Sequence, residues 1–335
     1  MPPSIAVIIP VWNAAEYLEK CLASLAASTF APLESIVVDD GSLDRSAEVA
    51  RHFGAKVLAT GGRYGPARAR NLGAASACGD LLLFLDADVC VRTDTLAQVA
   101  GAFEAGDSLD ALFGSYDDAP AVQGLVSVYK NLRHSFIHQS GRRNASTFWA
   151  GCGAIRRAVF VSQGGFDETR KRPAIEDIEL GYRLVQSGRK IVLEPTLQVK
   201  HLKGWTLSSL IRTDVLDRAI PWTELILRDG SMPNDLNVSW SQRASVALAL
   251  GLVGEPVIGT LALIPLRIVF VVWVASLFGN LALNREFYRF LIARHGWRFA
   301  LAAVPLHVLY HFYSGISFAA GAARHAWRST FEASR

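Results

Sequence analysis

Short apolar runs and helical-period segments alternate along the first third of the chain, while almost uninterrupted apolar stretches fill its last quarter. Residues 5–9 are wholly apolar (Ile-Ala-Val-Ile-Ile) and stop at Pro10, the pattern of a buried parallel strand. Leu18, Cys21, Leu22 and Leu25 recur at helical spacing and predict an amphipathic helix. Residues 35–38 predict a second strand that closes in Asp39-Asp40-Gly41-Ser42, a turn of cap-forming residues. Ala47, Ala50 and Phe53 continue as a helix, and residues 56–59 as a third strand. Gly61-Gly62 and Gly65-Pro66 then form a loop feeding a helix over 67–77. The fully apolar stretch 81–85 predicts a strand that ends abruptly in Asp86-Ala87-Asp88. This alternation, which runs to about Phe113, predicts an α/β fold with a doubly wound, mostly parallel sheet.

The tail follows another rule. Between residues 244 and 284 only Glu255 and Arg267 carry formal charge, and from 299 to 323 no residue does apart from the histidines. A membrane-spanning helix needs about 20 mostly apolar residues, so three hydrophobic segments are predicted at about 244–264, 266–284 and 299–323. The first two read as a hairpin turning near Pro265-Leu266-Arg267, with Glu255-Pro256 inside its first helix; a shallow re-entrant pair is the alternative. Arg285, Arg289, Arg294 and Arg298 stand among aromatics in an interfacial segment. A third span would carry Arg324, Arg328 and Arg335 to the outer side, against the positive-inside tendency, so the expected count is two or three. The organisation expected is a soluble domain over 1–235 and membrane-associated helices over 236–335.

Composition adds to this picture mainly by being uneven. The 335 residues are 51% hydrophobic and 19% charged, against about 25% charged in an ordinary soluble domain, and the apolar excess lies in the tail. A net charge of +4 without a Lys/Arg run gives no argument for nucleic acid. Cys21, Cys78, Cys90 and Cys152 have no metal spacing and read as reduced thiols. The opening residues lack a basic region and a cleavage site, so the soluble part is expected on the cytosolic side of an inner (cytoplasmic) membrane.

In open α/β sheets ligands bind beyond the carboxyl ends of the strands, where Asp39-Asp40 and Asp86-Ala87-Asp88 both stand. No GxGxxG follows the first strand and no GxxxxGK[ST] occurs, which disfavours a dinucleotide domain and excludes a P-loop NTPase. Asp86 and Asp88 project to one side of an extended backbone. Mg²⁺ or Mn²⁺ binds through one or two carboxylates plus substrate phosphates, so the pair suits a metal–diphosphate clamp.

Six motifs follow in order: Ile8-Ile9-Pro10-Val11-Trp12-Asn13, Val37-Val38-Asp39-Asp40-Gly41-Ser42, Ala69-Arg70-Asn71-Leu72-Gly73, Phe84-Leu85-Asp86-Ala87-Asp88, Gly164-Gly165-Phe166-Asp167-Glu168 and Ile175-Glu176-Asp177-Ile178-Glu179-Leu180. In order and spacing the first 220 residues or so resemble the family 2 glycosyltransferases, inverting nucleotide-sugar enzymes of GT-A fold. The resemblance implies that Pro10, Trp12 and Asn13 pack on the nucleotide of a UDP- or GDP-sugar, with Trp12 in place of the more usual Tyr. It implies that Asp40 hydrogen-bonds the base, that Arg70 approaches the nucleotide, and that Asp86 belongs to the donor-binding DxD. It gives Asp88 and His201 as ligands of Mg²⁺ or Mn²⁺, and Asp177 as the catalytic base.

Asp177 also makes sense physically, because inversion requires a deprotonating carboxylate and a helix N-terminus favours the ionised form. The same two acids, Glu176 and Asp177, equally serve as first-turn acids of a helix; Glu176 is a plausible acceptor-orienting residue. The Gln-x-x-Arg-Trp of processive synthases is missing from 212–222, which favours single addition. Arg212 and Arg218 are candidates for an anionic acceptor head or the donor diphosphate, or for simple membrane contact. The tail points to a lipid acceptor, polyprenyl phosphate or a glycolipid precursor, at the cytosolic membrane face. A catalytically silent nucleotide-sugar-binding scaffold and a sugar nucleotidyltransferase are the alternatives; the latter lacks its Gly-rich basic loop, since Pro10-Val11-Trp12-Asn13 stands in that place.

Overall fold

The structure, a computed structural model, describes residues 2–105, 108–169 and 171–332; Arg335 of the basic end lies outside them. The chain divides into two compact units, one of residues up to Gln123 plus Ile137–Gly204, the other of Gly124–Phe136 plus the residues from Trp205 onward.

The first unit is built on a mixed sheet flanked by helices. Its elements are β1 (Ile5–Val11), α1 (Ala15–Ala26), β2 (Glu34–Asp39), α2 (Ser46–His52), β3 (Lys56–Ala59), α3 (Pro66–Ser76), β4 (Leu81–Leu85), β5 (Val89–Cys90), α4 (Thr95–Ala105) and β6 (Ala111–Tyr116). After α5 (Leu125–Ser140), which begins in the other unit, come β7 (Cys152–Arg156), α6 (Arg157–Ser162), α7 (Glu176–Gln186) and β8 (Ile191–His201). Strand order is β3-β2-β1-β4-β7-β6-β8-β5. The β1–β2, β1–β4, β2–β3 and β6–β8 pairs are parallel, whereas β7 runs antiparallel to both β4 and β6, and β5 antiparallel to β8. The doubly wound, mostly parallel reading is therefore correct, with β7 and the two-residue β5 as reversed strands that the apolar pattern does not announce.

The continuous apolar runs are buried because helices cover them. Residues 5–9, 36–38 and 81–85 have no solvent exposure. The approach of α3 to this sheet is close: a Cβ on Gly73 would lie 2.6 Å from Cγ2 of Ile8 and 3.2 Å from Cγ2 of Val38. The missing side chain lets α3 rest directly on β1 and β2, and so fixes where Arg70, one turn earlier, points.

The second unit is helical: the first part of α5, α8 (Leu207–Arg212), a π-helical segment Thr213–Ala219, α9 (Ile220–Asp229), α10 (Trp240–Leu261), α11 (Leu266–Leu283) and α12 (Arg285–Glu332). The last is interrupted at Gly296, whose φ of 80° and ψ of 167° break the helical path. Val128, Tyr129 and Leu132 of α5 share a core with Leu210, Phe287, Leu291, Ala300, Ala303, Tyr310 and Tyr313. Buried beside it, Asp214 pairs with Lys130, lies 3.8 Å from Arg133 and accepts a 2.7 Å hydrogen bond from the Tyr313 hydroxyl. Although burial opposes its charge, the cations Lys130, Arg133 and Arg218 hold the Asp214 carboxyl at about 2. Helices α10 and α11 form an antiparallel hairpin, tied by Asn280 Nδ2 to the Ser245 carbonyl (2.9 Å), by Trp273 Nε1 to the Leu252 carbonyl (2.9 Å) and by the Ser276 hydroxyl to Glu255 (2.6 Å). Among the described residues three helices, α10, α11 and α12, are long and apolar enough to cross a membrane.

The close contact at Gly73 yields a stability test. Replacing glycine by alanine within a helix ordinarily gains about 1 kcal/mol, but here the methyl meets a β-branched side chain fixed in a strand, and overpacking costs about 1–3 kcal/mol. Gly73→Ala is expected to lower the midpoint of thermal unfolding; an unchanged or raised midpoint in calorimetry would show that α3 has room to shift.

Candidate active site

The parallel strands β1, β2 and β4 all end on one edge of the sheet, so the residues that follow them converge there. After β1, Trp12 is 43% exposed and the Arg63 guanidinium lies 3.5 Å over its ring, leaving an amphipathic aromatic plate at the edge. Pro10 is part of β1 and pairs with Val38, and Asn13 adopts φ +47°. The Asn13 side chain accepts from the Leu43 N–H (2.7 Å) while its own N–H donates to the Ser42 hydroxyl (2.9 Å), so this asparagine stitches the loops after β1 and β2 together. After β2, Asp40 is buried, and its carboxylate accepts from the Tyr64 and Gly65 N–H groups and the Thr60 hydroxyl at 2.9, 2.7 and 2.9 Å. It organises the 60–65 loop from beneath. Gly65 sits at φ +100°, and a Cβ there would fall 2.7 Å from the Lys171 backbone.

At the end of β4 the arrangement centres on Arg70. This arginine is 5% exposed; one nitrogen donates to Asp86 Oδ1 at 2.7 Å and the other to Glu176 Oε1 at 2.8 Å. Burial disfavours the guanidinium charge, but Asp86 and Glu176, with Asp177 nearby, outweigh it and raise the pKa above its ordinary value. Glu176, also buried, uses its second oxygen to accept from the Ala174 N–H at 2.9 Å. Both its oxygens are thus engaged inside the protein, on Arg70 and on the entry to α7.

Asp177 stands in the first turn of α7, with Oδ1 accepting from the Ile178 N–H (2.8 Å) and Oδ2 from the Ala150 N–H (3.1 Å). The neighbouring Gly151 carbonyl accepts from the Asp86 N–H at 3.3 Å. One short backbone segment, Ala150-Gly151, therefore separates Asp177 from the acidic turn after β4.

Asp88 and His201 meet across the short β5–β8 pairing, in which Val89 lies opposite His201, and the Leu202 N–H donates to the Asp88 carbonyl at 2.8 Å. Nε2 of His201 lies 3.6 Å from Asp88 Oδ2. Burial works against the Asp88 charge, but the hydrogen bond and charge of His201 and the charge of Lys203 hold its carboxyl below the ordinary range. The imidazole is stacked on Tyr116, with centroids 4.5 Å apart and planes 19° from parallel, and Tyr116 packs edge-on against Trp149 at 4.9 Å. Among the described residues no group of three or more His, Cys, Asp and Glu is arranged to hold a metal ion. Asp88 and His201 nevertheless offer one hard oxygen and one imidazole, a donor set that fits a divalent cation whose other ligands are phosphate oxygens and water.

Arg212 ends α8 and is exposed, and Arg218 lies in the π-helical segment, where its charge acts on Asp214; both belong to the helical unit. Two contributors to the site are given no role in the sequence reading. Tyr116, the last residue of a buried strand, orients His201. Asn71 accepts from the Phe166 N–H (2.9 Å) and donates to the Phe166 carbonyl and Glu168 (2.8 Å each), locking the Gly164–Glu168 motif onto α3. A strand ending in an aromatic on the ligand edge is a usable signal for the first; nothing in the sequence reports the second. Of the four cysteines, all free, Cys21 and Cys152 are buried close to Asp86, and burial pushes the Cys152 thiol up to about 12, so neither is a nucleophile at neutral pH.

Residues 6–162 match the family model described as Glycosyl transferase family 2. The pre-mycofactocin glycosyltransferase of Mycobacterium tuberculosis is 34% identical over 230 residues, which cover 61% of this chain and 46% of that protein. Validoxylamine A glucosyltransferase of Streptomyces hygroscopicus subsp. limoneus is 32% identical over 221 residues, covering 56% of this chain and 49% of that protein. The chain spans about half the length of these curated relatives. Among solved structures, the mannosyltransferase PcManGT from Pyrobaculum calidifontis, in complex with GDP-Man and Mn2+, is similar with a TM-score of 0.55 at 18% identity. That likeness covers 98% of this chain and 88% of the other and is one of fold.

The two-pronged Arg70 bridge is open to direct measurement. Removing one partner from a buried ion network costs about 3–5 kcal/mol, so Arg70→Met, which leaves Asp86 and Glu176 uncompensated, is expected to destabilise by that order in chemical denaturation. Arg70→Lys should fall between this variant and the native chain, because a point charge cannot reach both carboxylates in fork geometry. Equal stability of all three would remove Arg70 from its central role.

Proposed function

We propose that this protein, whose residues 6–162 match the family model described as Glycosyl transferase family 2, moves one sugar from a UDP- or GDP-sugar, with inversion, to a lipid acceptor at the cytosolic face of a membrane. The observation that carries the reading is that the Ala150-Gly151 segment joins Asp177 to the acidic turn after β4, in which Asp88 stands beside His201. The ligand edge of such a sheet holds a nucleotide diphosphate and a base on its far side within one site.

In this reading Trp12 and Arg63 supply the plate against which the nucleotide rests, and Asp40 keeps the 60–65 loop in shape beneath the base. Asp88 and His201 would hold Mg²⁺ or Mn²⁺, which when bound neutralises charge building on the departing diphosphate. Tyr116 keeps the imidazole plane fixed for that task. Asp177 takes the proton from the acceptor hydroxyl, or orients an acceptor that is already anionic. The acceptor oxygen forms the new bond to the anomeric carbon while the bond from that carbon to the diphosphate oxygen breaks, and the nucleoside diphosphate leaves. Two N–H groups, from Ala150 and Ile178, favour the ionised form of Asp177, which a base requires. Arg70 holds Asp86 and Glu176 in place and thereby joins the donor side to the first turn of α7. The three long apolar helices support association with a membrane, and with it a lipid acceptor such as polyprenyl phosphate or a glycolipid precursor.

A screen of nucleotide-sugars by thermal shift with Mg²⁺ or Mn²⁺, followed by incubation of the best donor with membrane lipid extract, tests the proposal. Sugar transferred into the lipid fraction is the expected result. Transfer to soluble acceptors alone would overturn the lipid assignment, and donor binding with neither transfer nor hydrolysis would favour a silent scaffold. Asp177→Asn should lower turnover by roughly 10²–10⁴-fold, the usual contribution of a general base, while donor affinity measured by calorimetry stays near the native value. Near-native turnover of that variant would refute the base assignment. Chelation should weaken donor binding and turnover together; a donor affinity indifferent to chelator would exclude Asp88 and His201 as ligands of a donor-bound cation.

A further inference from the structure

By length and hydropathy α12 also qualifies to cross a bilayer, with a mean hydropathy of 1.3 against 1.7 and 2.0 for α10 and α11. Its packing within the helical unit says otherwise. From Tyr313 onward α12 runs beside residues 213–228 in the same direction. The Tyr313 hydroxyl donates to Asp214, and a Cβ on Gly321 would sit 2.7 Å from Cβ of Thr223 and 3.0 Å from the Ile220 carbonyl oxygen. Further along, Arg324 and Arg328 reach Glu224 at 3.0 and 3.7 Å. Contacts thus advance together, from 214 to 224 on one strand of the pair and from 313 to 328 on the other. Nearer its start, His307 Nδ1 lies 2.9 Å from the Tyr129 hydroxyl, and Ala300 and Ala303 share a core with Val128 and Leu132 of α5.

The companion segment cannot enter hydrocarbon. It carries Asp214, Asp217, Arg218, Glu224, Arg228 and Asp229, and each charge at the bilayer centre costs at least about 2.5–3.5 kcal/mol on insertion scales. A helix packed alongside it over four turns lies where it lies. Part of the apolar surface of 299–323 is used against protein: 39% of the most apolar 18-residue window of α12 is buried, against 22% and 17% in α10 and α11. The remaining outward residues of α12 include Trp297, Leu301 and Trp327, 62%, 64% and 66% exposed, and Trp240 opens the hairpin at 67%. Exposed tryptophans at helix starts and ends suit the headgroup level. The hairpin is of a different kind: 22 and 18 residues, or about 33 and 27 Å at 1.5 Å per residue, apolar on nearly every side and close to the roughly 30 Å of a hydrocarbon core.

We propose that the α10–α11 hairpin alone enters the bilayer, and that α12 lies in the interface with residues 207–229, so that the C-terminal end returns to the side occupied by the catalytic domain. The inference rests on the membrane reading above and fixes which helices meet lipid. It is tested on the full chain expressed in bacteria, with alkaline phosphatase or green fluorescent protein fused after Arg335 in separate chains, and with the membranes washed in alkaline carbonate. Retention in the washed membrane, with a fluorescent C-terminal fusion and phosphatase activity lost to the level of a leaderless control, is the expected result. A retained chain whose C-terminal phosphatase is active would overturn the proposal and leave the membrane reading standing. Release by carbonate would overturn the membrane reading and the proposal with it. A substitution checks the pairing itself: Glu224→Leu keeps a side chain of similar volume and strips the anchor of Arg324 and Arg328, and should leave the C-terminus on the same side while making the end of α12 more susceptible to protease on that side. Unchanged protease resistance would mean that the Glu224 contact does not hold α12 down.

Discussion

The guanidinium of Arg70 is buried between Asp86, at the end of β4, and Glu176, at the start of α7, and the candidate site depends on this one bridge. A charge so far from water is tolerable only when its partners are fixed in fork geometry. That requirement runs in both directions along the chain. Arg70 reaches the bridge because α3 rests flush on β1 and β2 at Gly73, and Glu176 because its second oxygen is pinned to the Ala174 N–H. The acidic turn after β4 and the first turn of α7, some 90 residues apart in sequence, are thereby held as one electrostatic unit. Asp177, next to Glu176, inherits its position from that unit.

The six sequence motifs consequently divide into residues that face the ligand edge and residues that make such facing possible. Asn13, Asp40, Asn71 and Glu176 spend their polar atoms on backbone groups or on Arg70. Loops that carry function must be surface loops, yet they need their own backbone partners satisfied to hold one conformation. Here short polar side chains supply those partners: Asn13 links the loops after β1 and β2, and Asn71 links α3 to the Gly164–Glu168 turn. What then remains toward the edge is Trp12 with Arg63 on one side, and Asp88, His201 and Asp177 on the other.

Much of this was legible in the chain because the deciding physics is local. Runs such as 5–9 and 81–85, bounded by turn residues, read as strands buried on both faces, and the acidic turn Asp86-Ala87-Asp88 marks the ligand edge without any tertiary information, although β1 runs through Pro10 to Val11. The break at Gly296 falls within the Arg-rich segment, shortly before the apolar stretch that begins at Phe299. What the sequence does not contain is partnership across long separations. Nothing near Arg70 announces that it will be buried against Glu176, and nothing near Tyr116 announces a stacked imidazole 85 residues later. The reversed strand β7 escapes for the same reason, since Cys152–Arg156 is apolar in the manner of its parallel neighbours and strand direction leaves no compositional trace.

The helical unit shows the other limit of reading by composition. Hydropathy measures the aversion of a segment to water and is blind to whether lipid or protein relieves it. In α12 the relief comes in part from α5, the π-helical segment, α9 and α10, and the decisive residue is again a buried ion, Asp214, surrounded by Lys130, Arg133 and Tyr313. Two cations against one carboxylate, with the charge of Arg218 also acting on it, make a cluster that loses its compensation if any one helix is drawn away. A helix joined to such a cluster at Tyr313, and to Glu224 at its far end, is tied at both points to the polar side of the unit. Arg70 in the first unit and Asp214 in the second thus act alike: each is a charge too costly to leave alone, and each fixes the helices that must meet it.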